Sequence, residues 1–218
     1  GDYAGVAQRE VERALPGVQA MYLAGCGADV NPAPRGTTAL VEQHGAALAA
    51  VVLAAREAGV PADGSLRAGL SWIDLPFAAV PDGAGWTARA NDDDVYVRRY
   101  ARLMLDRLDR DGALESAHAQ PVQAWRVGGT TLVALGGEVV VDYALRLKRE
   151  CASDGLWVAA YANDVSCYIP PLRVRDEGGY EGGGAMIYYG RPGPFDRTVE
   201  QRLMAATHQV LRRVRGPL

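Results

Sequence analysis

The stretch VQAWRVGGTTLVALGGEVVVDYALRLKREC, residues 122–151, decides the fold class. Two extended apolar runs, Val122–Val127 and Thr130–Leu135, flank Gly128-Gly129, the composition of a tight hairpin turn. After Gly136-Gly137-Glu138, the residues Val140, Tyr143, Ala144, Leu147 and Cys151 recur at helical spacing. A hairpin followed at once by a helix argues against a purely parallel sheet. The expected fold is α/β (α+β), a mixed β-sheet covered by helices.

The rest of the chain continues the alternation. Tyr3, Ala7, Val11, Ala14 and Leu15 predict a helix that Pro16-Gly17 stops, and the apolar residues Val18–Leu23 then read as a buried strand. The Gly- and Pro-rich residues 25–36 form a loop, and Val41, Gly45, Leu48, Val52 and Ala55 mark a second helix. Ser65–Pro76 reads as a strand, Pro81–Asp94 as an irregular connection, and Val97, Tyr100, Ala101, Met104 and Leu108 as a third helix. Leu156–Tyr161 is a short buried strand, and residues 163–193 are rich in loops, a length unusual enough inside a compact domain to suggest function. Asp196 is the expected N-cap of a last helix carrying Val199, Leu203, Ala206, Val210 and Val214 on one face. With 218 residues, about half of them hydrophobic, residues 1–218 are expected to form a single domain.

Charge and composition narrow the function classes. A net charge of −3 and a pI near 5.7 give no broad basic footprint for nucleic acid, although Arg212, Arg213 and Arg215 form a local patch. No apolar run approaches the ~20 residues that span a bilayer, so no transmembrane segment is expected. The N-terminus carries no signal-peptide pattern, which leaves the compartment undetermined. Cys26, Cys151 and Cys167 are odd in number and lack CxxC spacing, so reduced thiols are expected.

Two constellations carry potential chemistry. In Leu135-Gly-Gly-Glu138 the glycines allow a sharp backbone turn, and Glu138 is expected in the first turn of the following helix, where the helix dipole keeps it ionised. That carboxylate suits a metal ligand, a base or a mere helix start. In YANDVSCYIPP (161–171), continuing to GGYEGGG (178–184), polar Asn163, Asp164 and Ser166 follow an apolar strand. Tyr168 and Tyr180 lie in the loop, as packing residues or as phenols that donate to a developing oxyanion. The glycines of 178–184 lack a Walker lysine, and Asp92-Asp93-Asp94 reads as a solvated helix start. His44 reads as a hydrogen-bonded core residue, and His118 and His208 fit no histidine metal motif.

The stretches Ala7 to Pro32 in outline (ending in LPGVQAMYLAGCGADVNP, 15–32), LVALGGEVVVDYALRLK (132–148), and YANDVSCYIP (161–170) with GGYEGG (178–183) resemble, in order, the neutral/alkaline non-lysosomal ceramidase family. The resemblance covers nearly the whole chain and implies the C-terminal part of a catalytic domain. It further implies a zinc site built from two histidines, a glutamate and a tyrosine, and hydrolysis of the amide of N-acylsphingosine. On the family pattern Glu138 and Tyr168 would be zinc ligands, and Tyr180 would lie near the scissile amide. The family's histidines belong to segments before the equivalent of Gly1. The resemblance thus implies an incomplete domain, inactive alone and requiring N-terminal sequence. The family's nucleophilic serine is matched by Gly25, which has no side chain, and adjacent Cys26 has no histidine to activate it. A zinc-activated water is then the expected attacking group, with Tyr168 or Tyr180 stabilising the oxyanion, and the alternative is a catalytically inactive ceramidase-like binding protein or a non-functional fragment.

Overall fold

The computed structural model describes residues 2–59, 64–151 and 155–215. They divide into two compact units, one of residues 1–24 with 30–63, the other of residues 25–29 with 64–218.

In the first unit, α1 (Tyr3–Ala14) packs on α2 (Thr38–Glu57). Asp2 caps α1 by accepting from the Tyr3 N–H, and Thr37 caps α2 by accepting from that of Leu40. The helices meet where α2 has Gly45: a Cβ there would lie 2.3 Å from that of Val6, so only glycine lets the backbones approach this closely. The strand expected over Val18–Leu23 does not form. Its Met21 is 87% exposed, and its tethers come from α1, where Gln8 Nε2 donates to Ala20 O and Glu12 accepts from Ala20 N–H. Apolar composition proposed a strand, but side chains of α1 satisfy the segment in place of a ladder. His44 is only half-buried and hydrogen-bonds the carbonyl of Pro34 at 2.8 Å. Within α2, Thr38–Arg56 is long and apolar enough to cross a membrane, despite Glu42, Gln43 and His44 that interrupt the apolar run. The same composition suits a helix packed against another, as α2 is against α1.

The second unit is built on a sheet of order β1-β2-β3-β5, with β1 at Leu66–Pro76, β2 at Ala117–Val127, β3 at Thr130–Leu135 and β5 at Leu156–Ala159. The expected hairpin joins β2 to β3, with Val127 opposite Thr130 across the two glycines. β1 pairs antiparallel to β2 and β5 parallel to β3, so the sheet is mixed as expected. On one face α8 (Val199–Arg215) packs its apolar stripe, Val199, Leu203, Ala206, Val210 and Val214, against β1 and β2. Opposite β1, Asp196 accepts from the Thr198 N–H just before this helix.

The other face carries exposed indoles. Register places Ala68, Trp125, Leu132 and Trp157 in one row across all four strands, with Leu70 and Trp72 in neighbouring rows. Trp72, Trp125 and Trp157 are 59%, 47% and 64% exposed, an unusual state for three indoles on one sheet face.

Helices complete the unit: α3 (Gly83–Arg89), α4 (Val95–Asp111), α5 (Val141–Cys151), α6 (Leu172–Glu177) and α7 (Gly179–Gly182), with a 3-10 turn over Gly184–Ile187. Helix α3 interrupts the connection expected to be irregular, because Asp82 caps it and Trp86 buries its indole against Tyr100 of α4. Asp94 caps α4, as the acidic run suggested.

Candidate functional site

The site grows from the Gly136-Gly137 turn at the end of β3. Gly137 has φ +79°, and a Cβ on it would lie 2.8 Å from Cys167 O and 2.9 Å from Ile169 Cγ1. The loop 161–167 is wrapped directly over this turn. Tyr161 N–H donates to Gly137 O, Gly137 N–H to Asp164 O, and Ala162 N–H to Leu135 O. Tyr161 and Asn163 take positive φ to make these bonds, the kind of backbone strain that tight contacts must hold in place. Ser166 secures the loop by donating to Asp164 Oδ2, and its Oγ lies 3.5 Å from Nε2 of buried His118. Burial, followed by the charge of Arg191, holds the His118 pKa below its usual range.

This wrapping creates a two-residue parallel pair, β4 (Glu138–Val139) with β6 (Tyr168–Ile169). Glu138 stands directly opposite Tyr168, and its N–H donates to Cys167 O at 2.9 Å. The carboxylate is therefore on a short strand. The expected place in the first turn of a helix is corrected, because α5 begins only at Val141, where Asp29 Oδ1 accepts the Val141 N–H at 3.0 Å. Register partners on parallel strands point to the same side, so the pairing brings a carboxylate and a phenol together.

Phenols surround Glu138. Tyr189 Oη donates to Oε1 and Tyr161 Oη to Oε2, the latter at 3.4 Å. Burial first, then hydrogen bonding to Glu138 and its charge, raise Tyr168 and Tyr189 above the normal phenol range. Tyr161 is pushed up to about 12 by burial and then by the charge of Glu138. All three phenols thus remain protonated donors at neutral pH. Tyr180 touches Tyr168 edge-on at a centroid distance of 5.3 Å, and Tyr188 and Tyr96 extend the line of rings outward at 6.0 and 5.9 Å. Tyr180, Tyr188 and Tyr96 are exposed.

The loop holding Gly25 joins the same unit. Gly25 bridges Ala159 of β5, and Ala28 N–H donates to Val139 O beside Glu138. A Cβ on Gly25 would meet nothing nearer than Val158 O at 3.7 Å, so crowding does not demand glycine there. Cys26 is buried, which pushes its thiol up to about 12 and leaves it no thiolate for attack. His208 bonds Glu150 Oε2. Among the described residues, no group of three His, Cys, Asp or Glu side chains is placed to hold a metal. The oxygens of Glu138 and Tyr168 offer part of a donor set that zinc accepts. Tyr161 and Tyr189 had no assigned role in the motifs; the adjacency of Tyr161 to the loop and the Tyr188-Tyr189 pair were the available signals.

Two solved structures share this fold. A neutral ceramidase from Pseudomonas aeruginosa is 16% identical with a TM-score of 0.54, over 96% of this chain and 41% of that one. A ceramidase complexed with C2 is 15% identical with a TM-score of 0.57, over 96% of this chain and 42% of that one. This chain therefore spans about two-fifths of the length of the structures it matches. No protein-family model and no curated protein matches it by sequence. The fold built around Glu138 is accordingly a ceramidase-like fold.

Proposed function

We propose that this chain is part of a zinc-dependent amide hydrolase acting on an N-acyl, ceramide-like lipid. The observation that carries this reading is the pairing of Glu138 with Tyr168 in register, inside a ceramidase-like fold. A carboxylate and a phenol supply two of about four positions of a tetrahedral zinc site. Imidazoles from polypeptide N-terminal to this chain complete it, and without them the chain is inactive. The exposure of Trp72, Trp125 and Trp157 on one sheet face supports such an additional layer.

When bound, zinc supplies Lewis acidity toward water and toward a carbonyl oxygen. The chain's own residues do the rest. The Glu138 carboxylate lies at the centre of the phenol cluster, and Tyr168 shares that position. The Tyr180 phenol, half-exposed beside Tyr168, donates to the oxygen on which charge develops as the amide carbonyl is attacked. Gly25 offers no nucleophile and the Cys26 thiol stays protonated, so water is the attacking group.

The test uses the protein together with the polypeptide that completes the site. Glu138→Ala is expected to release the metal and abolish hydrolysis, whereas Tyr180→Phe keeps the metal and loses turnover. Undiminished zinc content and activity in Glu138→Ala would overturn the proposal. Gly25 favours a second reading, a relative that binds the lipid without cleaving it. Hydrolysis of N-acyl lipids that tracks zinc occupancy excludes that reading.

A further inference from the structure

Tyr189 lies in none of the motifs that point to the site, yet its hydroxyl donates to Glu138 Oε1. Its place is set by contacts that do not involve Glu138. Arg107 Nη1 of α4 donates to the carbonyl of Gly190 at 2.6 Å, and Tyr100 Oη donates to that of Arg191. Arg191 in turn donates from Nε to Ser166 O at 3.1 Å and pairs with Glu115. Gly190, at φ +61°, is packed against Leu103 and Arg107. The segment is therefore pinned to α4 on one side and to the loop before Tyr168 on the other. Tyr188 is turned outward and exposed while Tyr189 faces in, with its ring 6.3 Å from that of Tyr168.

We infer that Tyr189 is a positioning residue, whose hydroxyl fixes the Glu138 carboxylate in the orientation that a metal requires. The inference rests on the metal-site reading given above. An ionised carboxylate has two lone-pair directions on each oxygen. Tyr189 uses one on Oε1 and Tyr161 one on Oε2, and Tyr168 also hydrogen-bonds the carboxylate, so both oxygens are held while one of the four directions remains open. Hydrogen bonds of this kind orient metal-binding groups, and their loss weakens metal binding without removing a ligand. Tyr168 differs because it is the register partner of Glu138 on the adjoining strand.

Two measurements test this. The first needs no metal: thermal unfolding of the 218-residue chain as wild type, Tyr189→Phe, Glu138→Leu and the double variant. Tyr189→Phe is expected to reduce the folding equilibrium constant by about threefold to tenfold, and to have no further effect once Glu138 is Leu. Strictly additive losses would show that the hydroxyl does not act through Glu138, and would overturn the inference. The second is competition for Zn²⁺ with a chromophoric chelator in the protein carrying the complete site. Tyr189→Phe is expected to weaken affinity by about 10- to 100-fold at unchanged stoichiometry, with Tyr188→Phe as a neutral control. Unchanged affinity, or loss of the bound ion altogether as for a direct ligand, would refute a positioning role. A wild type that binds no zinc would defeat the metal reading and this role together, whereas zinc binding with additive unfolding would defeat this role alone.

Discussion

Replacing Gly137 by alanine tests how the site is constructed. Two effects combine at that position. The backbone has φ +79°, where a side chain costs about 1–2 kcal/mol, and the new Cβ would stand 2.8 Å from Cys167 O. That oxygen belongs to the backbone and accepts the Glu138 N–H at 2.9 Å, so it cannot swing aside without loosening β4 from β6. Overpacking of this kind costs roughly a further 1–3 kcal/mol. For a chain of this size each kcal/mol moves Tm by about 2–4 °C, so a fall of roughly 4–20 °C is expected by circular dichroism. Gly112→Ala is the control. Its φ is +77° in the left-handed region, but nothing lies within 4 Å of its Cβ, so it should show the conformational term alone, a few degrees. Equal shifts for the two variants would refute the idea that the Cys167 carbonyl clamps the turn. Because the clash separates Glu138 from Tyr168, Gly137→Ala should also weaken metal binding more than Gly112→Ala does.

The pH dependence of stability follows from His118, whose proton affinity burial lowers from the ordinary value of 6.5. The unfolded chain then binds the proton first, so His118 contributes stability above about pH 6.5 that is lost as pH falls toward its folded pKa. Urea melts between pH 7.5 and 5.5 should show this decline, flattened in His118→Gln; an identical slope in that variant would refute it. Cys26 and Cys167, both pushed up to about 12 by burial, should resist Ellman's reagent at pH 8 until denaturant is added, and rapid native labelling of either would contradict their placement.

The strands and long helices were legible because their periodicity runs over many residues. The β2–β3 hairpin, α4 and α8 each repeat their signal several times. Short elements repeat it too little: α3 has seven residues, and β4 and β6 have two each. Glu138 and Tyr168 could be chosen from their motif context, but their register pairing depends on the positive φ of Gly137, Tyr161 and Asn163, which no periodicity encodes. Val18–Leu23 misled because apolar content marks a strand only where a ladder partner exists, and here Gln8 and Glu12 supply the tethers. Tyr189 was missed because a tyrosine that packs and one that donates to a carboxylate look alike in sequence.

The chain has four tryptophans, and only Trp86 is sealed inside. The other three share the bare side of the sheet, so native emission is dominated by indoles in contact with water. Whatever comes to rest on that side, protein or detergent, dries those rings and shifts the colour and quenching of the signal. The molecule thereby carries a label-free optical gauge of whether that surface is occupied.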